Sequence, residues 1–219
     1  MIVIVDYDMG NVGSILNMLR KLGAAATVSH DPALLKGADG IILPGVGSFD
    51  HGMAGLNERG LSALLAEDIA PSGTPILGIC LGMQLLTCAS EEGVLPGLAL
   101  IEGTTRRFQF SPDAGLRVPH MGWACTTPVV GRQSGSLAER LFRGTDPEQR
   151  YYFVHAYHVV TTDPADVLAT ASYGHTFTAA IGRANVIGTQ FHPEKSHRYG
   201  LHLMRNFVEF CQLRREAVA

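Results

Sequence analysis

No apolar run in this chain approaches the ~20 residues that a membrane-spanning helix needs, and the opening Met1-Ile2-Val3-Ile4-Val5 meets Asp6 at once. That start reads as a first core strand, not as a basic-then-apolar leader, so a cytoplasmic protein is expected. Basic residues are scarce: 17 Lys and Arg face 20 Asp and Glu, for a net charge of -3. Without a basic stripe and interleaved aromatics, nucleic-acid binding has no electrostatic footprint. Neither Gly-x-Gly-x-x-Gly nor a Walker pattern is present, which disfavours a phosphate loop. The four cysteines, Cys80, Cys88, Cys125 and Cys211, lack framework spacing, as suits a reduced compartment. The pairs His155/His158 and His192/His197 gather no cysteine or carboxylate cluster, so neither a metal nor a cofactor is expected. Repeats, low-complexity tracts and a linker are also missing, and 219 residues suit one domain spanning 1–219.

What is there is 46% hydrophobic residues in an ordered pattern. In the first half, short apolar runs alternate with helical spacing. Strands are predicted at 1–6, 25–29, 40–43 and from 75. One helix carries Val12, Ile15, Leu16, Leu19 and Leu22, a second covers 61–69, and a third runs to about 90, with Cys88 on it. This β-α-β rhythm predicts a mostly parallel central sheet flanked by helices. Beyond residue 98 the texture changes to strand-like runs at 98–101, 151–160, 167–172, 177–181 and 186–191, which predicts an antiparallel extension. The turn-rich stretch 102–135 is read as a long functional loop. A helix starts near His197, with Leu201, Met204, Phe207, Val208 and Cys211 on one face.

The most informative segment is Pro75-Ile76-Leu77-Gly78-Ile79-Cys80-Leu81-Gly82-Met83-Gln84. An apolar strand enters a Gly-x-Cys-x-Gly turn and then a helix, the pattern of a nucleophile elbow with sulfur in place of a hydroxyl. At a helix amino end, unpaired amides and the macrodipole favour the reactive thiolate. A buried structural cysteine would fit the same ten residues. A cysteine nucleophile needs a base and a group to orient that base. The chain offers Phe191-His192-Pro193-Glu194 at the end of an apolar strand, where residues two apart point to one side. His192 and Glu194 would then complete a triad with Cys80, although His-Pro-Glu also occurs as an ordinary turn. An oxyanion trap needs fixed amides. Leu81, next to the sulfur, supplies one, and the loop Leu43-Pro44-Gly45-Val46-Gly47-Ser48-Phe49, through Gly47, supplies another.

Together these segments resemble the class I, or triad-type, glutamine amidotransferases, whose fold is flavodoxin-like. The likeness within that family is to the glutaminase subunits of imidazole glycerol phosphate synthase. It rests on Asp6-Tyr7-Asp8-Met9-Gly10-Asn11, Pro119-His120-Met121-Gly122-Trp123, Tyr152-Phe153-Val154-His155 and Gln190-Phe191-His192-Pro193-Glu194-Lys195, besides the elbow and the glycine loop. The resemblance implies Cys80 as nucleophile, His192 as base and then acid, and Glu194 as orienter. It implies Gln84 and Glu92 as readers of glutamine, with His155, Ala156 and Tyr157 lining the opposite wall. It also implies ammonia delivery to a cyclase subunit, a (β/α)8 barrel, in a heterodimer that serves histidine biosynthesis. Asn11, His120, Trp123, Tyr152 and Lys195 are the implied interface residues. Familiar members have Gly at Asp8, Arg at Gly13, Asn at Ala124 and Ser or Thr at Ala156. The alternatives are a glutaminase feeding pyridoxal phosphate synthesis or sugar amination, and a stand-alone cysteine hydrolase.

Overall fold

The computed structural model describes residues 1–129, 137–146 and 148–218. In chain order its elements are β1 (Ile2–Val5), α1 (Val12–Lys21), β2 (Ala26–Ser29), α2 (Pro32–Lys36), β3 (Gly40–Leu43), α3 (Phe49–Glu58) and α4 (Leu61–Ala63). The wider π turns Leu64–Ile69 continue α4. Then come β4 (Ile76–Ile79), α5 (Leu81–Leu85), β5 (Ala89–Ser90), β6 (Gly103–Arg107), β7 (His120–Pro128), α6 (Leu137–Leu141), β8 (Arg150–His155) and β9 (Tyr157–Thr161). The chain ends with β10 (Val167–Tyr173), β11 (His175–Arg183), β12 (Val186–Thr189) and α7 (His197–Val218).

One nine-stranded sheet runs in the order β2-β1-β3-β4-β12-β11-β10-β7-β8. Its first five strands are parallel, and the remaining pairings are antiparallel. The two halves are therefore the parallel core and antiparallel extension that the sequence predicts. Strand alternation explains why both faces need cover. Ile2 and Ile4 of β1 pack with Ile15 and Leu19 of α1 and with Met204, Phe207 and Cys211 of α7. Val3 and Val5 face the other way, toward Phe49, Met53 and Leu56 of α3 and toward Leu81 and Leu85 of α5. Val3, Ile4, Val5, Ile41, Ile42 and Leu43 are fully buried.

Several expectations need correction. Residues 98–101 form no strand; their backbone amides donate to carbonyls of residues 85–87 beside the elbow helix. The stretch 102–135 is not one loop, since it contains β6 and β7; residues 130–135 of it lie outside the described residues. The run 151–160 breaks at Ala156, whose carbonyl accepts from Phe108 N, so it yields two strands: β8 in the nine-stranded sheet, and β9, which pairs with β6 in a separate three-stranded sheet of order β5-β6-β9. The elbow helix stops at Leu85, and Cys88 lies beyond it. The helix α3 goes unread in the sequence because Gly52 and Gly55 weaken its propensity. Tertiary packing wants those glycines: a Cβ at Gly52 would stand 3.0 Å from Leu85 Cδ1, and one at Gly55 3.1 Å from the Tyr7 carbonyl.

Candidate active site

Four segments leave the carboxyl ends of neighbouring parallel strands: 6–10 after β1, 44–48 after β3, Cys80 after β4 and 190–195 after β12. Ligand crevices in open parallel sheets lie at this end. The antiparallel extension then curls back. Tyr152 of β8 bridges to His192, and the His192 amide donates to the Tyr152 carbonyl at 2.9 Å. This closure sets β8 and the Val154 carbonyl over the elbow, 3.9 Å from Cys80 Sγ.

Cys80 has φ 54° and ψ −107°, a strained conformation for a residue with a side chain. Its surroundings impose it. The Cys80 amide donates to the Thr189 carbonyl at 2.7 Å, and its own carbonyl accepts from Gln84 N to start α5. Close backbone approach explains the flanking glycines: a Cβ on Gly82 would sit 1.9 Å from the Leu43 carbonyl oxygen, and one on Gly78 2.6 Å from that of Gly82. Because α5 has only five residues, its macrodipole is smaller than the longer helix expected from sequence would carry. An imidazole stands next to the sulfur.

That imidazole is His192. Its Nδ1 lies 2.8 Å from Glu194 Oε1, and both side chains are 2% exposed. Nε2 is buried, has no hydrogen-bond partner among the described residues, and interacts electrostatically with the Cys80 thiol. Burial lowers the His192 pKa, but the interaction with Cys80 and the hydrogen bond and charge of Glu194 outweigh it and hold it at about 10. The balance favours an imidazolium, the partner that a cysteine nucleophile needs. Glu194 reaches the ring from a 3-10 turn, Pro193–Lys195, and not from the extended chain that the two-residue spacing suggests.

The loop 44–48 packs directly on the elbow. A Cβ on Gly45 would meet Gly82 N at 2.7 Å and the Tyr7 hydroxyl at 3.0 Å, while Gly47 takes φ 127°. Tyr7 donates its hydroxyl to the Pro44 carbonyl, and burial, then Cys80, push its pKa far up, so it stays a phenol donor. Gln84 is buried, and its Nε2 donates to the Tyr157 carbonyl and to Gln190 Oε1, each at 3.2 Å. Glu92 Oε2 accepts from Phe49 N at 2.8 Å. His155 Nδ1 is 2.7 Å from the Tyr157 carbonyl, and its Nε2 is 3.3 Å from His120 Nδ1. Burial, then neighbouring imidazoles, push the His155 pKa down to about 3 against the raising effect of the Tyr157 contact, so it is neutral.

Two site residues escaped the sequence reading. Gln190 is fully buried and points Nε2 at Cys80 Sγ from 3.8 Å. It stands two positions before His192 on the same strand exit, a period-two signal that was available. Ser196 donates to the His192 carbonyl at 2.6 Å and accepts from Tyr152 N at 3.0 Å, a buttress visible only in three dimensions. Of the interface candidates, Asn11 and Lys195 are exposed, Tyr152 is half-buried and Trp123 is 44% exposed, stacked on His197. His120 differs: it is buried, stacked on Tyr173 with ring centroids 4.1 Å apart, so its side chain is no surface contact. Among the described residues no group of three or more His, Cys, Asp or Glu could hold a metal, and no helix is long and apolar enough to cross a membrane.

Parallel-sheet core, sulfur on a strained elbow and a buried imidazole–carboxylate pair define a cysteine-dependent amide-cleaving enzyme. The comparisons make this specific. The glutamine amidotransferase class-I family profile matches residues 3–210. The subunit HisH 2 of imidazole glycerol phosphate synthase from Methanococcus maripaludis is 46% identical over 95% of this chain and 99% of its own. Its namesake from Pseudomonas aeruginosa is 45% identical over 95% and 99%. Among solved structures, the glutaminase domain of Trypanosoma brucei CTPS superposes with a TM-score of 0.65 at 17% identity, over 95% of this chain and 93% of that one, which speaks for the fold alone. The chain belongs to the class-I glutamine amidotransferases and, within them, to the HisH subunits of imidazole glycerol phosphate synthase. It is a glutamine amidotransferase, and as a subunit it implies a partner.

Proposed function

We propose that the chain, as one domain, is the glutaminase half of a cytoplasmic heterodimer whose other half is a (β/α)8-barrel cyclase. The Cys80 thiolate attacks the side-chain carbonyl carbon of L-glutamine. The amides of Leu81 and, through the glycine loop, Gly47 receive the oxyanion. His192 gives its proton to the departing nitrogen, so ammonia leaves and a glutamyl thioester remains. The neutral imidazole then takes a proton from water, hydroxide displaces the sulfur, and glutamate leaves with thiolate and imidazolium restored. Glu194 holds the ring in register and stabilises its charge throughout. Gln84 and the 155–157 wall enclose the substrate, and Glu92 pairs with its ammonium. The ammonia is passed, sheltered from water, to the cyclase, which makes imidazole glycerol phosphate and aminoimidazole carboxamide ribotide. Asn11, Trp123, Tyr152 and Lys195 lie on the docking face.

The observation that carries this reading is the meeting of sulfur, imidazole and carboxylate in one buried cluster, from residues up to 114 positions apart in sequence. Cys80 is 7% exposed, covered by Val154 and Gln190, and the oxyanion loop is exposed at Val46. A closed site beside a docking face fits an enzyme switched on by its partner. The test measures glutamine hydrolysis with and without the cyclase subunit, for wild type and Cys80→Ala. Strong stimulation of wild type and no turnover by the variant are expected, with synthase activity on added ammonia retained. Glutaminase turnover by Cys80→Ala would overturn the assignment of the nucleophile.

A further inference from the structure

The first turn of α3 and the turn at 90–95 hold each other by a reciprocal clip. From one side, Glu92 Oε2 accepts from Phe49 N at 2.8 Å. It fills a cap position that Ser48, immediately before the helix, leaves without a side-chain hydrogen bond. From the other side, Asp50 Oδ1 accepts from Val94 N and Leu95 N, each at 3.0 Å, and Oδ2 is also 3.0 Å from Val94 N. The fit is tight at the crossing point: a Cβ on Gly93 would stand 1.9 Å from Asp50 Oδ1. Neither half of the clip is explained by helix propensity, and Asp50 touches none of Cys80, His192 or Glu194.

We infer that Asp50 is a positioning residue for glutamine recognition, fixing the 93–95 turn so that the Glu92 carboxylate is held between the α3 amino end and the substrate ammonium. The inference rests on the reading of Glu92 proposed above. Glu92 sits on a turn of six residues with a half-buried side chain, so alone it has several ways to point. The backbone amides on Asp50 remove that freedom just beyond it, and Ser90 Oγ, accepting from Glu92 N at 3.1 Å, does so just before it. A preset carboxylate forfeits less conformational freedom when the substrate arrives.

The experiment uses the chain assembled with its synthase partner and compares wild type, Asp50→Ala, Asp50→Asn, Gly93→Ala, Glu92→Gln and the double variant Glu92→Gln/Asp50→Ala. Asp50→Ala and Gly93→Ala, which open the clip from opposite sides, should each raise the KM for glutamine about tenfold, the loss worth ~1.4 kcal/mol of binding, with kcat within twofold. Asp50→Asn keeps one acceptor oxygen and should recover most of the loss. Synthase activity on added ammonia and the alkylation rate of Cys80 should not move. In the Glu92→Gln background, Asp50→Ala should add little, because it acts through Glu92. If Glu92→Gln raises KM but Asp50→Ala and Gly93→Ala leave it unchanged, the inference about Asp50 is wrong and the site reading stands. If Glu92→Gln itself leaves KM unchanged, the role given to Glu92 fails.

Discussion

Replacing Glu194 by glutamine removes one charge from a pair buried so completely that water cannot compensate. The wild-type contact is a 2.8 Å charge-assisted hydrogen bond between side chains each 2% exposed. Such a bond contributes about 1.5–3 kcal/mol, which at 1.36 kcal/mol per pH unit is a shift of about 1–2 units. Imidazolium at His192, held at about 10 in the wild type, should therefore titrate roughly 1–2 units lower in Glu194→Gln. The ring keeps an acceptor at Nδ1, so its orientation survives and the change is electrostatic. Two measurements check it: NMR titration of the His192 imidazole, and the rate of iodoacetamide alkylation of Cys80 at neutral pH. At neutral pH the second should barely move, because an imidazolium titrating at about 8–9 is still roughly 90% or more formed there. The contact also acts on folding. A folded-state value above the unfolded 6.5 contributes stability fully below pH 6.5 and loses it as pH rises through about 10. Destabilisation by Glu194→Gln should thus be larger at pH 6 than at pH 10. An unchanged titration midpoint would refute the argument that Glu194 supports the imidazolium.

His155 gives the opposite dependence: its folded value of about 3 lies below the unfolded 6.5, so stability present above pH 6.5 should fall as pH drops toward 3. Its slope is up to ~1.4 kcal/mol per pH unit, and urea midpoints between pH 7 and 4 should show a flatter decline in His155→Gln. Gly82→Ala forces a Cβ to within 1.9 Å of the Leu43 carbonyl, so a loss of about 3 kcal/mol, or roughly 6–12 °C in Tm, is expected by calorimetry. A variant melting with wild type and fully active would mean that the elbow tolerates a wider turn.

Much of the parallel half was legible because each of its strands is a short apolar run bounded by a helix pattern, and period alone separates 2 from 3.6. Residues 2–5 and 40–43 and the elbow strand at 76–79 needed no partner to be recognised. The antiparallel half was legible only in outline. Strands β6 and β7 are half-exposed and read as loop, since Thr104, Thr105, Arg106 and Arg107 or Gly122, Trp123 and Ala124 carry no clean alternation. Their assignment depends on pairing with strands far along the chain, which no local window contains. In the site, Cys80, His192 and Glu194 stood out because nucleophile, base and orienter are distinctive residue types at strand exits. Gln190, Ser196 and Asp50 are common residues whose importance lies in what they touch.

The sequence by itself determined the alternation that builds a parallel sheet, the two glycines that permit the elbow, and the identities of the reactive groups, because these depend on steric size and pKa range. Tertiary structure alone decided that the extension curls until Tyr152 bridges to His192, that His120 is buried, and that Glu92 caps a helix 43 residues upstream. Such features are long-range contacts. Their free energy resides in groups that meet only after the chain has folded.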